Sequence, residues 1–180
     1  MYPESLENLI ECFKYLPGIG EKTAERLAFS VMDMSKERVE HFKESIESCK
    51  QNIHSCPICN FLTDLEKCSI CQNEARDNSL LCVVEDPKSV FIFEKLGMFK
   101  GRYHVLSGLI SPKEGINPED IDLGKLIERI KNSNFKEIIL AFRPSIEGET
   151  TALYIKRILG DLNLKISKIA SGIPIGADME

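Results

Sequence analysis

Four cysteines in a stretch with few other apolar side chains constrain the fold of this chain most. The segment CPICNFLTDLEKCSIC holds two Cys-x-x-Cys turns separated by eight residues, with the cysteines at Cys56, Cys59, Cys68 and Cys71. Each turn can present two thiolates to one ion, and four sulfurs complete the tetrahedral shell of a structural zinc site, with no position left for water. Residues 54–77 cannot build a hydrophobic core, so we expect one zinc ion per chain to supply their folding energy.

The expected compartment favours a metal over disulfides. No run of about 18 apolar residues offers a membrane span, and the N-terminus MYPESLENLIE lacks the positive start and apolar run of a secretory signal. We therefore expect a cytoplasmic protein with no membrane partner, in which thiols stay reduced. An iron site with the same four ligands is a less common alternative.

Residues 1–53 are predicted to form a helical region with three helices. Apolar residues recur there at steps of three and four, which is typical of amphipathic helices. The three runs are Leu6, Leu9, Ile10, Phe13 and Leu16; Ala24, Leu27, Ala28 and Val31; and Val39, Phe42, Ile46, Cys49 and Ile53. Because Cys12 and Cys49 fall within these patterns, we expect both to be small buried hydrophobic residues.

The chain beyond residue 80 alternates short apolar runs with helical patterns. In order these are LLCVVE, a helix opened by Asp86 and Pro87, YHVLS, a helix after Asp122, EIILAF, a helix after Glu149, and KISKIA. Strands separated by helices predict a mostly parallel sheet covered on both faces, with Cys82 in the core. The expected class is α+β overall: helical residues 1–53, a cysteine module at 54–77, an α/β domain at 78–170 and a C-terminal segment at 171–180.

The segment LPGIGEKTAERLA, residues 16–28, resembles the helix-hairpin-helix motif of many DNA-repair proteins. Gly18 and Gly20 leave room for backbone N–H groups at the start of the next helix to approach a phosphate. Lys22 and Arg26 lie four residues apart and could add two charges to that contact, which would read no base sequence. The alternative is a plain helical turn in which these two cations pair with Glu21 or Glu25.

The overall charge offers no support for nucleic-acid binding. The formal net charge is −5, whereas DNA-binding proteins usually carry a basic surplus that neutralises phosphates. Any such contact must come from a local cluster of cations or from one assembled by several subunits.

Two further segments, VVEDPKS (83–89) and AFRPSIEGETTA (141–152), together resemble the Toprim domain of topoisomerases, primases and some nucleases. In that family, a glutamate after the first strand and an acidic loop after a later strand gather carboxylates around magnesium. The matching acidic positions in this chain are Glu85, Asp86, Glu147 and Glu149. Arg143 and Ser145 stand where type IA topoisomerases have two aspartates. A guanidinium repels a divalent cation, so these replacements argue against metal-dependent phosphodiester chemistry, and helix capping is an alternative role for the acids.

Other catalytic templates are absent from the sequence. His41, His54 and His104 are scattered, no serine lies in a nucleophile elbow, and no phosphate-binding Gly-x-x-x-x-Gly-Lys loop occurs. His104 alternates with its strand neighbours and is expected to face one side of the sheet. We therefore predict no catalytic residues.

The order of helix-hairpin-helix, four-cysteine module and Toprim domain resembles the bacterial recombination mediator family RecR over essentially the whole chain. The resemblance implies a non-enzymatic DNA-repair protein that works with RecO and RecF to load RecA onto gapped or single-stranded DNA. It also implies homo-oligomers, from dimers to tetrameric rings, whose inner wall could collect the few cations of each chain.

Two departures from the family pattern limit what the resemblance implies. Arg143 stands where the family has asparagine or aspartate, so this cation could prefer a phosphate or a neighbouring carboxylate. Family members also continue past the equivalent of Glu180, which implies a truncated chain in which ring closure could be affected. The alternative functions are a magnesium-dependent Toprim enzyme acting on DNA and a zinc module that contacts proteins only.

Overall fold

The computed structural model of the chain describes residues 2–160, 162 and 164–170. The chain divides into two compact units, Met1–Asn52 and Ile53–Glu180. The predicted C-terminal segment 171–180 lies outside the described residues. No helix in the described part combines the length and the apolar character needed to cross a membrane.

The first unit contains the three predicted helices: α1 (Glu4–Lys14), α2 (Glu21–Met32) and α3 (Lys36–Asn52). Leu6 and Ile10 of α1 pack against Ala24 and Ala28 of α2, and these four residues form the buried core of the unit. Neither alanine has any exposed surface. Their small side chains allow the two helices to approach closely, which fixes the hairpin between them.

The predicted burial of Cys12 and Cys49 is wrong, because both cysteines are exposed. Cys12 lies two residues after the buried Ile10, and two residues correspond to more than half a helical turn, so its side chain points away from the core. Helix α3 has no buried residue, and Phe42 on it is 45% exposed. Its apolar spacing correctly predicted a helix, but spacing alone does not show what covers the apolar face.

The second unit contains a four-stranded sheet and a small two-stranded one. Its strands are β1 (His54–Ser55), β2 (Leu62–Thr63), β3 (Leu80–Val84), β4 (Arg102–Val105), β5 (Glu137–Ala141) and β6 (Lys165–Lys168). Its helices are α4 (Ser69–Gln72), α5 (Pro87–Leu96), α6 (Leu123–Lys131) and α7 (Ile146–Leu159), with 3-10 helices at Pro112–Glu114 and Pro118–Ile121. The larger sheet has the order β4-β3-β5-β6 and all its pairs are parallel, which confirms the predicted parallel sheet.

Helix α7 begins at Ile146, earlier than the predicted helix after Glu149. Ser145 caps this helix, and its hydroxyl accepts a hydrogen bond from the Gly148 N–H at 3.2 Å. A serine at this position satisfies one of the free amides of the first turn, so the helix starts at Ile146.

The larger sheet is buried on both faces, and the cysteine segment (residues 54–77) covers part of one of them. Leu81 and Val83 of β3 face α6 and α7, while Cys82 and Val84 face the opposite side, as strand alternation requires. On that opposite side, Cys82 and Val84 share one cluster with side chains from α5, β4 and the cysteine segment: Val90, Tyr103, Val105, Cys56, Cys59, Phe61, Cys68 and Ile70. The cysteine segment therefore shares its core with the sheet.

Candidate functional site

The four predicted cysteine ligands converge on one point. The sulfur atoms of Cys56, Cys59, Cys68 and Cys71 all lie within 4.8 Å of one another. All four are free thiols, so the disulfide alternative is not formed. Three of them are buried and Cys71 is half-buried. Four sulfurs around one point match the closed tetrahedral shell of structural zinc, which exposes no open position for catalysis.

Backbone N–H groups within the cysteine segment orient the sulfur ligands. The Cys71 N–H donates to the Cys68 sulfur at 3.4 Å, and the Cys68 N–H donates to the Cys56 sulfur at 3.5 Å. Hydrogen bonds with the Cys59 and Cys71 thiols, together with the Cys71 amide, lower the pKa of the Cys68 thiol. A lowered pKa favours the thiolate form, which is the form that binds zinc.

The first Cys-x-x-Cys turn also protects the edge of the large sheet. The Val105 N–H at the end of β4 donates to the Cys59 carbonyl at 2.8 Å, and the Asn60 side-chain amide donates to the Val105 carbonyl at 3.1 Å. An unpaired edge strand is a template for unwanted pairing with another chain. The metal-binding turn therefore satisfies backbone groups that β4 would otherwise expose.

The predicted hairpin has the geometry of a tight turn between two helices. Gly18 has a φ of +81°, a left-handed conformation that glycine adopts at low cost, and Gly20 is the N-cap of α2. Lys22 and Arg26 lie on α2 with exposed side chains. Within the described residues, neither cation has a carboxylate within 4.0 Å; Glu21 instead pairs with Lys14 at 2.8 Å. The alternative in which these cations are neutralised by Glu21 or Glu25 is thus not formed.

The Toprim-like acids each have their own partner. Asp86 caps α5 by accepting a hydrogen bond from the Lys88 N–H at 2.7 Å. Glu85 accepts a hydrogen bond from the Arg143 N–H at 3.3 Å, and the Arg143 Nε lies 3.8 Å from its other oxygen. The Arg143 cation therefore lies beside the Glu85 carboxylate, where its charge disfavours a divalent cation.

The second acidic loop is likewise engaged within the chain. Hydrogen bonding with the Ser145 side chain, helped by backbone amides and the Arg143 charge, holds the pKa of Glu147 below its usual value. Glu149 forms an ion pair with Lys168. Gly148 is required here because a Cβ would lie only 2.3 Å from the Arg143 carbonyl oxygen. Among the described residues, the four cysteines are the only group of three or more potential ligands that converge closely enough to hold a metal ion.

Sequence reasoning missed the arginines that connect the cysteine segment with the sheet. Arg102 is 9% exposed and donates to the Ile70 and Cys71 carbonyls, and Arg76 forms an ion pair with Glu94. The sequence did contain one indication of this role. Arg102 is the first residue of the buried strand run RYHV, and a charged residue in a buried strand requires a polar partner nearby. The identity of that partner, some thirty positions away, could not be deduced from local patterns.

Three protein-family models match successive parts of the chain. The helix-hairpin-helix model of RecR matches residues 6–50, the four-cysteine zinc-finger model of RecR matches residues 53–73, and a Toprim domain model matches residues 79–170. The match to the zinc-finger model agrees with the convergence of the four sulfur atoms, so zinc is the cofactor.

Curated relatives match nearly the whole chain. Proteins named Recombination protein RecR from Staphylococcus aureus strains Newman, USA300 and MRSA252 are each 46% identical over 179 residues, which is 99% of this chain and 90% of each relative. With this identity and the three matching models in the same order, the chain belongs to the RecR family of recombination proteins.

Proposed function

We propose that this protein is a non-enzymatic DNA-binding mediator of recombinational DNA repair. In this proposal it acts in the cytoplasm with RecO and RecF to load RecA onto gapped or single-stranded DNA. The observation that carries the DNA-binding part is the hairpin, in which Lys22 and Arg26 are exposed and have no carboxylate within 4.0 Å among the described residues. Membership of the RecR family supports the proposed partners and loading activity.

The proposed contact is with the phosphate backbone. The left-handed Gly18 and the extended Gly20 direct the chain into α2, whose first N–H groups have no partner within the helix. Such groups, with two cations one turn apart, bind phosphates without reading bases. Because the chain carries a net charge of −5, we propose that several subunits combine their hairpins, as in a dimer or a tetrameric ring.

The double variant Lys22→Ala, Arg26→Ala is expected to bind single-stranded and gapped DNA about tenfold more weakly. It removes two phosphate-binding cations per subunit, so the dependence of the logarithm of affinity on the logarithm of salt should also become shallower, by about 1 for each cation removed. Fluorescence anisotropy with labelled DNA over a salt series measures both quantities.

The matched control is Lys131→Ala, Lys136→Ala, which removes the same charge from exposed positions in the second unit. It should leave affinity and salt dependence within about twofold of the parent. Sedimentation of each variant checks that assembly is intact. Unchanged DNA affinity of the hairpin variant, with normal assembly, would exclude the hairpin from the mechanism.

A magnesium-dependent Toprim enzyme is the second candidate, because Glu85 and Glu147 remain. Arg143 argues against it, since its charge lies beside Glu85 where a cation would bind. We expect no cleavage or relaxation of DNA with Mg²⁺ by the parent. We also expect Arg143→Asp to raise Mn²⁺ affinity at least about tenfold, measured by electron paramagnetic resonance, with Arg143→Ala showing a smaller rise. DNA cleavage by the parent that Glu85→Gln abolishes would show that the protein is an enzyme.

We propose that the chain has the same four parts as expected from its sequence: residues 1–53, 54–77, 78–170 and 171–180. The packing of the cysteine segment on Val84 and Tyr103 supports keeping residues 54–170 together in any truncated form.

A further inference from the structure

Three cations lie around the four-cysteine centre, and all three come from outside the cysteine segment. Arg102 is the first residue of β4, while Lys125 and Arg129 lie one helical turn apart on α6. Each of them reaches a different part of the metal-binding turns or of the strand beside them.

Two of these cations hold the two Cys-x-x-Cys turns. The Arg102 Nη1 donates to the carbonyls of Ile70 and Cys71, while its Nε donates to Asn78 at 2.7 Å. The Lys125 ammonium donates to the side-chain oxygen of Asn60, the residue directly after Cys59. Asn60 has a φ of +60°, so this bond holds a left-handed residue at the end of the first turn.

The third cation, Arg129, contacts the edge strand β4. Its Nη1 donates to the Tyr103 carbonyl at 2.6 Å and lies 3.2 Å from the Nδ1 of His104. Burial lowers the pKa of Arg129, and the nearby Cys71, Cys59 and Cys56 act in the opposite direction. The Arg129 guanidinium is therefore close enough to this sulfur cluster to interact with it electrostatically.

No carboxylate of the described residues lies within 4.0 Å of Arg102, Lys125 or Arg129. Asp77 lines the same cavity as the two arginines, but its carboxylate accepts the Ser79 N–H at 2.7 Å. His104 adds no negative charge, and burial together with both α6 cations lowers its pKa to about 3. Cations that leave water need a counter-charge, and the sulfur cluster is the one that this region offers.

Four thiolates around one Zn²⁺ leave an excess of negative charge, which a buried site must balance. We propose that Arg102, Lys125 and Arg129 form an outer shell that neutralises and positions the zinc–thiolate centre. Zinc retention by the cysteine segment then depends on residues of the Toprim domain, so the two parts of the second unit stabilise each other through the metal.

Zinc release from the full-length, zinc-loaded protein to a chromogenic chelator tests the proposal. Lys125→Gln and Arg129→Gln are expected to release zinc about 10- to 100-fold faster than the parent, the usual effect of losing an outer-shell partner. Lys125→Arg and Arg129→Lys keep the charge and should restore most of the retention. Lys131→Gln removes an exposed charge from the same helix and should change the rate less than about twofold.

Lys125→Gln separates charge from hydrogen bonding, because glutamine can still donate to Asn60. Lys125 is only half-buried, so this variant decides the test even if Arg129→Gln fails to fold. In Co²⁺-substituted protein, the sulfur-to-metal charge-transfer band should shift in Lys125→Gln and stay in place in Lys131→Gln. Slow release from Lys125→Gln, or release from Lys125→Arg as fast as from Lys125→Gln, would overturn the proposal.

Discussion

Cys68→Ser is expected to lose zinc and to lower the free energy of unfolding of the second unit by about 4 kcal/mol or more. Structural zinc contributes about 10–16 kcal/mol to the folding of small metal-binding peptides, and serine is a poor ligand for it. Cys68 is 1% exposed and its sulfur lies 3.5 Å from that of Cys59. Removing it therefore leaves an incomplete ligand shell, in which the two buried thiols of Cys56 and Cys59 and the half-buried thiol of Cys71 lose their cation.

The damage should extend from the cysteine segment to the sheet. Phe61 and Ile70 of the segment cover Tyr103 and Val84, and Cys59 accepts the Val105 N–H on the strand edge. Without the metal, these few apolar side chains cannot hold the segment in place, so one face of the sheet becomes accessible to water. Zinc per chain by elemental analysis and chemical denaturation measure the two effects.

Cys49→Ser is the matched control for this prediction. It makes the same chemical change at an exposed cysteine on α3, and should keep both zinc and stability. A Cys68→Ser protein that retains one zinc per chain with normal stability would show that the site does not require four sulfurs.

The features that could be predicted from the sequence are those that depend on residues close together along the chain. Two Cys-x-x-Cys turns specify ligands whose spacing along the chain already restricts their geometry, and the structure brings all four sulfurs together. Runs such as LLCVV and EIILA predict buried parallel strands because both of their faces are apolar, and β3 and β5 follow them. The sequence also shows directly that Arg143 and Ser145 stand at the two positions where type IA topoisomerases have aspartates.

The features that could not be predicted depend on which distant residues meet. The Lys125–Asn60 contact joins positions 65 residues apart, and the Arg102–Ile70 contact spans 32 residues. No periodic pattern encodes such pairs. Exposure of Cys49 and Phe42 depends on what lies against α3, whereas their spacing shows only that they share one face of a helix.

Arg76→Met is expected to cost about 3 kcal/mol of stability through a second connection between the cysteine segment and the sheet. The Arg76 guanidinium donates twice to Glu94, at 2.8 and 2.9 Å, and once to the Gly101 carbonyl at 2.8 Å. It also lies 5.5 Å from the centre of the Tyr103 ring. The Arg76 side chain is 10% exposed and that of Glu94 is 34% exposed, so this is a partly buried, bidentate pair.

Most of the stability lost in Arg76→Met is expected to come from the hydrogen-bond partners of Arg76, which the substitution leaves without a donor. Methionine keeps the apolar stem of the side chain, but Glu94 and the Gly101 carbonyl lose their donors. Arg76→Lys retains the positive charge but cannot donate two parallel hydrogen bonds to one carboxylate. We therefore expect it to recover about half of the lost stability. Urea denaturation of the parent, the two variants, Glu94→Gln and the Arg76→Met, Glu94→Gln double variant gives the coupling energy between the two side chains.

The pH dependence tests whether the Glu94 charge is responsible. Burial raises the pKa of Glu94, but the hydrogen bonds and charge of Arg76 outweigh it and bring the pKa below its ordinary value of 4.5. A carboxyl whose pKa is lower in the folded state stabilises the protein above its unfolded pKa and loses that contribution as pH falls through the folded value.

The stability difference between parent and Arg76→Met should therefore be constant from about pH 8 to 6 and shrink as pH falls below the ordinary glutamate value. Zinc also dissociates in acid, but that loss affects both proteins and largely cancels in the difference. In a Glu94→Gln background, the effect of Arg76→Met should be smaller and independent of pH. A stability difference that stays constant down to pH values well below the glutamate range would assign the role of Arg76 to its carbonyl and ring contacts instead.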